Sequence, residues 1–366
     1  MHTTSLRREP RRRAALYRIA GALMLIGLTL SGTGVRAAES KPTEIRIGLP
    51  DQSAGSKPFI RGPLGLAHIR QQLEQVFEPQ GIKIRWSFFK GAGPAVNEAL
   101  ANRQLDVVYL GDLAAIIGRA GDLPTRVLVG SRGSNSYLAA TPESGIQRIT
   151  DLRGKRVAVY KGTADQLSFE RALSGAGLSE RDIRVINLDW TAGKAALAAK
   201  RVDAVWGGVG LLTLRRQGIN IVADSRSLGR ANTTQAAVLA TEEFIQRYPQ
   251  ATRQLVEVLA DNARWIADPA HLTEYIALMS AQSQIPAALF EEELRPEELN
   301  FQSSPRLDDF LQASFADSIQ RAKAAGLIRR DFPVEAWFDG RFVERALTDR
   351  QWDKVWPGYD AGGQAQ

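Results

Sequence analysis

IKIRWSFFKGAGPAVNEALANRQLDVVYLGD, residues 82–112, carries the organisation of the chain in miniature. Ile82–Phe89 is short and rich in isoleucine and aromatics, the signature of a strand. Lys90-Gly91-Ala92-Gly93-Pro94 interrupts it, and Pro94 suits the first position of a helix, where its missing N–H costs nothing. Val96, Ala99 and Leu100 then recur at i, i+3, i+4, the apolar stripe of an amphipathic helix. Leu105–Leu110 is a second strand, and Gly111-Asp112 closes it with Asp112 placed to cap the next helix. Strand–helix–strand units of this kind build open α/β sheets rather than sandwiches.

The alternation extends in both directions. Strand-like runs fall at Glu44–Leu49, Ile82–Phe89, Leu105–Leu110, Arg126–Gly130, Tyr137–Thr141, Arg156–Tyr160, Arg184–Leu188, Val202–Trp206, Asn220–Ala223 and Ala236–Ala240. After Thr241 the strands stop and long helical patterns take over, as in Leu255, Val258, Leu259, Asn262 and Ile266, with Asp268-Pro269 opening another helix. The acidic cluster Glu291-Glu292-Glu293 with Glu297-Glu298 reads as a solvated helix face.

Upstream lies a different kind of segment. A basic run from Arg7 to Arg13 precedes an apolar stretch, Ile19–Ser31, too short to span a membrane, and then Val35-Arg36-Ala37. Small residues at −3 and −1 predict a signal peptide cleaved after Ala37 and a mature chain exported to the periplasm. The chain has 366 residues and a formal charge of +7, but residues 1–37 carry seven arginines against Glu9, and the remainder is left at +1. A protein that grips the phosphate backbone of nucleic acid needs more than that. Stable membrane insertion is not expected, and a monomer is. There is no cysteine, which excludes disulfides, thiolate metal sites, a cysteine nucleophile and a lipoprotein anchor.

The strand-to-helix turns carry the functional signal. Gly91-Ala92-Gly93, Gly111-Asp112 and Gly162-Thr163-Ala164 each join a strand to a helix, and Thr163 with Gln166 fits a capping box. Helix amino termini gathered at the carboxyl edges of strands present free N–H groups to an anion. Trp190 and Trp206 end or follow strands, where they either cover a ligand tail or belong to the core. Enzyme signatures fail. Val96 stands where a dinucleotide fingerprint needs its third glycine, Ala195 follows Gly193-Lys194 where a phosphate loop needs Ser or Thr, and no Gly-x-Ser-x-Gly elbow occurs. His68 and His271 are far apart, so neither a catalytic triad nor a metal site is expected, and no cofactor.

"FFKGAGPAVNEALANRQLDVVYLGD", "ITDLRGKRVAVYKGTADQLSFERALSGAGL", "AALAAKRVDAVW" and "AGLIRRDFPVEAWFDGRFVERAL" resemble the periplasmic solute-binding proteins of ABC importers for aliphatic sulfonates, taurine and nitrate. The resemblance runs roughly from Ile45 to Leu347. One departure stands out: the family commonly continues its Asp-Ala-Trp strand with Trp-Asp-Pro, whereas this chain reads Val205-Trp206-Gly207-Gly208-Val209-Gly210. The resemblance implies a type II clamshell of two α/β lobes with mixed open sheets and a helical C-terminal region. Residues 38–131 and 235–366 would form lobe 1, and residues 136–228 lobe 2, with crossings near Arg132–Asn135 and Gly229–Thr234. It further implies a small anionic or zwitterionic ligand delivered to a permease and its ATPase. Candidate ligand-binding residues are the three turns (Gly91, Ala92, Gly93; Gly111, Asp112; Gly162, Thr163, Ala164), Arg132 and Asn135 at the first crossing, and Trp190 and Trp206. Asp112 is open to two roles, a helix cap or a partner for the ammonium of a zwitterion. Uptake of nitrate or another small anion, or a periplasmic ligand sensor, are the alternative functions. A pyrimidine synthase of thiamine biosynthesis is similar in fold, but the export segment and the missing cysteine argue against it.

Overall fold

The computed structural model describes residues 41–294 and 296–366, and the expected signal peptide with its cleavage point lies outside them. Ten strands form two five-stranded sheets: β1 (Glu44–Pro50), β2 (Lys83–Phe89), β3 (Val107–Gly111), β4 (Thr125–Ser134), β5 (Tyr137–Ala140), β6 (Arg156–Val159), β7 (Arg184–Asn187), β8 (Ala204–Gly207), β9 (Asn220–Asp224) and β10 (Thr234–Thr241). Every strand read from the sequence is present, within a few residues of its expected ends.

The sheets share one plan. The first runs β2-β1-β3-β10-β4 and the second β7-β6-β8-β5-β9. In each, three strands are parallel (β1 with β2 and β3, β6 with β7 and β8) and one inserted strand, β10 or β5, runs antiparallel to both neighbours. The chain leaves the first sheet after Ser134, enters the second at Tyr137, and returns between Asp224 and Thr234. Parallel pairs need crossover connections, which the helices supply.

Both faces of each sheet are buried, which explains why their strands lack polar alternation. In β3, Val107 and Tyr109 join Ile45, Ile47 and Leu49 on one side, while Val108 and Leu110 face the other. In the second sheet Tyr137, Ala139, Ala158 and Val205 face one way and Leu138, Val157, Val159 and Trp206 the other. Helix Pro249–Ala267 presses Leu255, Leu259 and Ala263 onto the first face of sheet one; helix Asp309–Ala324 presses Leu311, Phe315 and Ile319 onto the opposite face.

Two local readings need correction. Pro94 is not at the first helical position: the helix runs Ala92–Ala101, two residues earlier, with Ala92 at φ 51° and fully buried. Left-handed backbone at a residue with a Cβ costs roughly 1–2 kcal/mol, and such strain gathers at ligand sites. Nor is the acidic cluster a wholly solvated face. Glu291 and Glu292 are exposed, but Glu293 is buried, its carboxylate held by Arg61 through bonds of 2.8 and 3.2 Å. Sequence spacing cannot register a cation 232 positions away.

Candidate ligand-binding cleft

The carboxyl ends of the parallel strands of both sheets open onto one cleft, a cavity of about 150 Å³. Helices Ala92–Ala101, Asp112–Ala120, Ala164–Gly175 and Trp190–Ala198 all begin at its wall. The first N–H groups of a helix have no intrahelical acceptor and can meet a ligand. At the Trp190 helix, however, the Asp189 carboxylate accepts from Thr191 N at 2.8 Å and Ala192 N at 2.7 Å, so donors and partial positive charge come chiefly from the other three termini.

Glycine lets the walls close. A Cβ on Gly111 would stand 2.8 Å from the Ala164 Cβ across the cleft, and one on Gly93 would stand 2.3 Å from the Ala114 Cβ. The Tyr160 hydroxyl donates to the Lys90 carbonyl at 3.1 Å, Arg215 pairs with Glu292, and Arg226 donates to the Glu293 carbonyl at 2.9 Å. These bonds tie the second sheet's loops to the first sheet and its C-terminal helices.

The charged side chains that line the cleft are Arg61, Asp165, Lys194 and Asp189, the last of which caps the Trp190–Ala198 helix. Arg61 is neutralised: burial alone would lower its pKa, but Glu293 reverses that and holds the guanidinium charged. Asp165, in the first turn of its helix, is buried, and burial pushes its carboxyl above the usual range. Its oxygens accept from Ser136 Oγ at 2.9 Å and from Trp190 Nε1 at 2.7 Å. Lys194, one turn into the Trp190–Ala198 helix, is half-buried, and its ammonium has no hydrogen-bond or ion-pair partner among the described residues. Burial lowers its pKa.

Of the residues expected from the sequence, the cleft gathers Ala92, Gly93, Gly111, Asn135, Thr163, Ala164, Trp190 and Trp206, and leaves out Gly91, Asp112, Arg132 and Gly162. Asp112 is fully buried behind the wall. Gly111, not Asp112, is the helix cap residue, and the Asp112 carboxylate faces Ser318 Oγ at 2.7 Å and Arg171 at 3.5 Å. Its side chain therefore lies behind the cleft wall and not on it. Arg132 turns away to bind Asp308 at 2.6 Å, because the crossing strand alternates its side chains between cleft and core. Thr163 does not form a capping box. Its hydroxyl donates back to the Tyr160 carbonyl at 2.7 Å, while Gln166 Oε1 accepts from Gly162 N at 3.0 Å. Asn135 bridges the crossing, accepting from Ser225 Oγ at 2.8 Å and donating to Asp224 at 3.0 Å.

The two tryptophans divide. Trp206 is 1% exposed and packs on Phe169, centroids 5.6 Å apart, so it is core with one edge on the cleft. Trp190 is wall, edge-to-face with Tyr160 at 5.1 Å. Sequence reading missed Arg61, Tyr160, Asp165 and Lys194. Lys194 had a signal available: it lies one helical turn past the strand-to-helix turn at Trp190.

Among the described residues no group of acidic, histidine or cysteine side chains could hold a metal ion, and no helix is long and apolar enough to cross a membrane. His68 packs on Trp86 and Phe88, and His271 stacks on Trp265.

Two mixed α/β sheets joined by two crossings, with helix termini converging on one cleft, define the periplasmic-binding-protein fold. Residues 77–271, more than half of the chain, match the family described as NMT1/THI5 like, and the chain belongs to that family. It is similar to a protein of Bacillus subtilis (strain 168) named for binding aliphatic sulfonates, 28% identical over 90% of this chain and 97% of that one. An Escherichia coli (strain K12) protein named for the same ligands is 31% identical over 62% of this chain and 67% of its own length. Among solved structures, one described as the periplasmic sulfonate-binding protein SsuA from Methylobacillus flagellatus KT superposes with a TM-score of 0.76 at 26% identity, covering 88% of this chain and 98% of that one.

Proposed function

We propose that this protein is the periplasmic binding component of an ABC importer, and that it captures a small organosulfonate between two lobes and hands it to a permease. Residues 38–131 with 235–366 form one lobe and residues 136–228 the other, hinged at the two crossings. Lys194 carries the reading: an ammonium with no ion-pair partner among the described residues stands in a cleft at whose wall four helices begin. The cleft asks for an anion, and the relatives named for aliphatic sulfonates fit that demand. Binding rather than catalysis is supported by a serine–lysine pair beside the cleft. Lys90 Nζ lies 3.0 Å from Ser53 Oγ but is also 2.9 Å from Asp51, so the lysine donates to both and no base faces the serine. Burial alone would raise the Asp51 pKa, but bonds from Lys90, Ser53 and Phe59 bring it below the usual value and keep the pair ionic.

Calorimetry with methanesulfonate, taurine and nitrate tests the proposal. A sulfonate should bind the wild type, and Lys194→Ala should weaken it roughly tenfold, as loss of a charge-assisted hydrogen bond requires. Wild-type protein that binds none of the sulfonates ends this reading.

A further inference from the structure

The wall after β8 reads Gly207-Gly208-Val209-Gly210, and all three glycines line the cleft. The backbone does not demand them. Gly208 sits at φ −73° and ψ −169°, open to any residue, and neither Gly207 nor Gly210 has a positive φ. Close packing does not demand them either. A Cβ on Gly208 would meet no atom within 4 Å. A Cβ on Gly207 would lie 3.5 Å from Leu211 Cδ1 and 3.9 Å from Trp190 Cδ1, and one on Gly210 would lie 3.7 Å from Lys194 Nζ. These are ordinary contact distances, in contrast to Gly93 and Gly111, where a side chain would collide. The three absent side chains therefore leave a recess in the wall, which other residues neither fill nor need.

Its borders say what fits. On one side is the Trp190 indole, fixed by its bond to Asp165 and by its edge-to-face contact with Tyr160. On the other is the Lys194 ammonium, 3.7 Å from where a Cβ on Gly210 would stand. An alkyl chain in this recess gains burial alone. An aromatic ring gains burial and, beyond it, an offset or edge contact with the indole.

We propose that the Gly207–Gly210 recess is a subsite for the ligand's tail and accepts an aromatic ring, so that the preferred solute is a ring-bearing sulfonate. This rests on the sulfonate reading of the cleft and extends it to the tail. The anionic group is held by the helix termini and the Lys194 ammonium, and the ring lies in the recess against Trp190.

The test compares methanesulfonate, hexanesulfonate and benzenesulfonate by calorimetry on the full chain, in wild type, Gly208→Ala and Gly208→Leu. Wild type should bind benzenesulfonate at least about tenfold more tightly than methanesulfonate and more tightly than hexanesulfonate. Gly208→Leu fills the recess and should bring benzenesulfonate to within about twofold of methanesulfonate in the same variant, and an unchanged thermal unfolding profile shows that the variant is folded. Gly208→Ala should fall between. The proposal is overturned if benzenesulfonate binds no better than methanesulfonate, if hexanesulfonate binds as well as the ring, or if Gly208→Leu keeps the ring's advantage. Those results would leave the sulfonate function standing. Failure of all three probes on the wild type would remove both.

Discussion

Replacing Arg171 with Met tests how the two sheets are held together. Arg171 projects from helix Ala164–Gly175, beyond the first crossing, and is 5% exposed. It reaches Asp112 at 3.5 Å, Asp317 at 2.8 Å and the Ser318 hydroxyl, all on helices that cover sheet one. The Asp317 side chain is 42% exposed, so that pair contributes about 0–1 kcal/mol. Asp112 is the costly partner, since its side chain has no exposure at all. Stranding a buried carboxylate costs roughly 3–5 kcal/mol. Burial already holds the Asp112 pKa above the usual carboxylate value, against the pull of Arg171 and Ser318. Protonation offers a partial escape, which sets the expected loss near the lower end, about 3 kcal/mol at pH 7. The loss should shrink as pH falls. Asp112→Asn in the same chain removes the stranded charge, so the double variant should recover about 2 kcal/mol relative to the sum of the singles. Urea unfolding of the wild type, both singles and the double measures this. A cost below about 1 kcal/mol for Arg171→Met, or additive singles, would refute the claim that this cluster fastens the sheets.

Asp165 forecasts a pH effect. Burial raises its folded-state pKa, so the folded chain holds the proton more tightly than the unfolded one. That contribution to stability is complete below the ordinary value near pH 4 and is lost as pH rises through the raised one. Asp165→Asn should flatten the decline in melting temperature from about pH 4 upward; an unchanged pH profile would contradict it. Gly93→Ala should cost roughly 1–3 kcal/mol, because the new Cβ would lie 2.3 Å from that of Ala114 and both belong to closely packed helices. Thermal unfolding decides this, and a neutral result would show that the helices can move apart.

Much of this protein could be read along the chain. Ile82–Phe89, Leu105–Leu110 and Arg156–Tyr160 announce themselves because strands and helices are local patterns, set by β-branching, period and turn residues within about ten positions. The convergence of glycine-bearing turns was legible for the same reason: each is a strand end followed by a helix start. The glycines at 207, 208 and 210 were visible as a departure from the family's pattern, although sequence could not say that they opened a recess.

What tertiary structure alone decided was the direction and partner of each charge. Asp112 and Asp165 occupy equivalent places, in the first turn after a strand, yet one is turned behind the wall to Arg171 and the other into the cleft beside Trp190. Glu293 sits in an acidic run but is buried against Arg61, 232 residues away. Thr163 has the spacing of a cap and instead bonds back to Tyr160. Periodicity fixes which residues share a face. The energy of a buried charge depends on what packs against it from elsewhere in the chain, and that appears only once both sheets, the crossings and the C-terminal helices are in place.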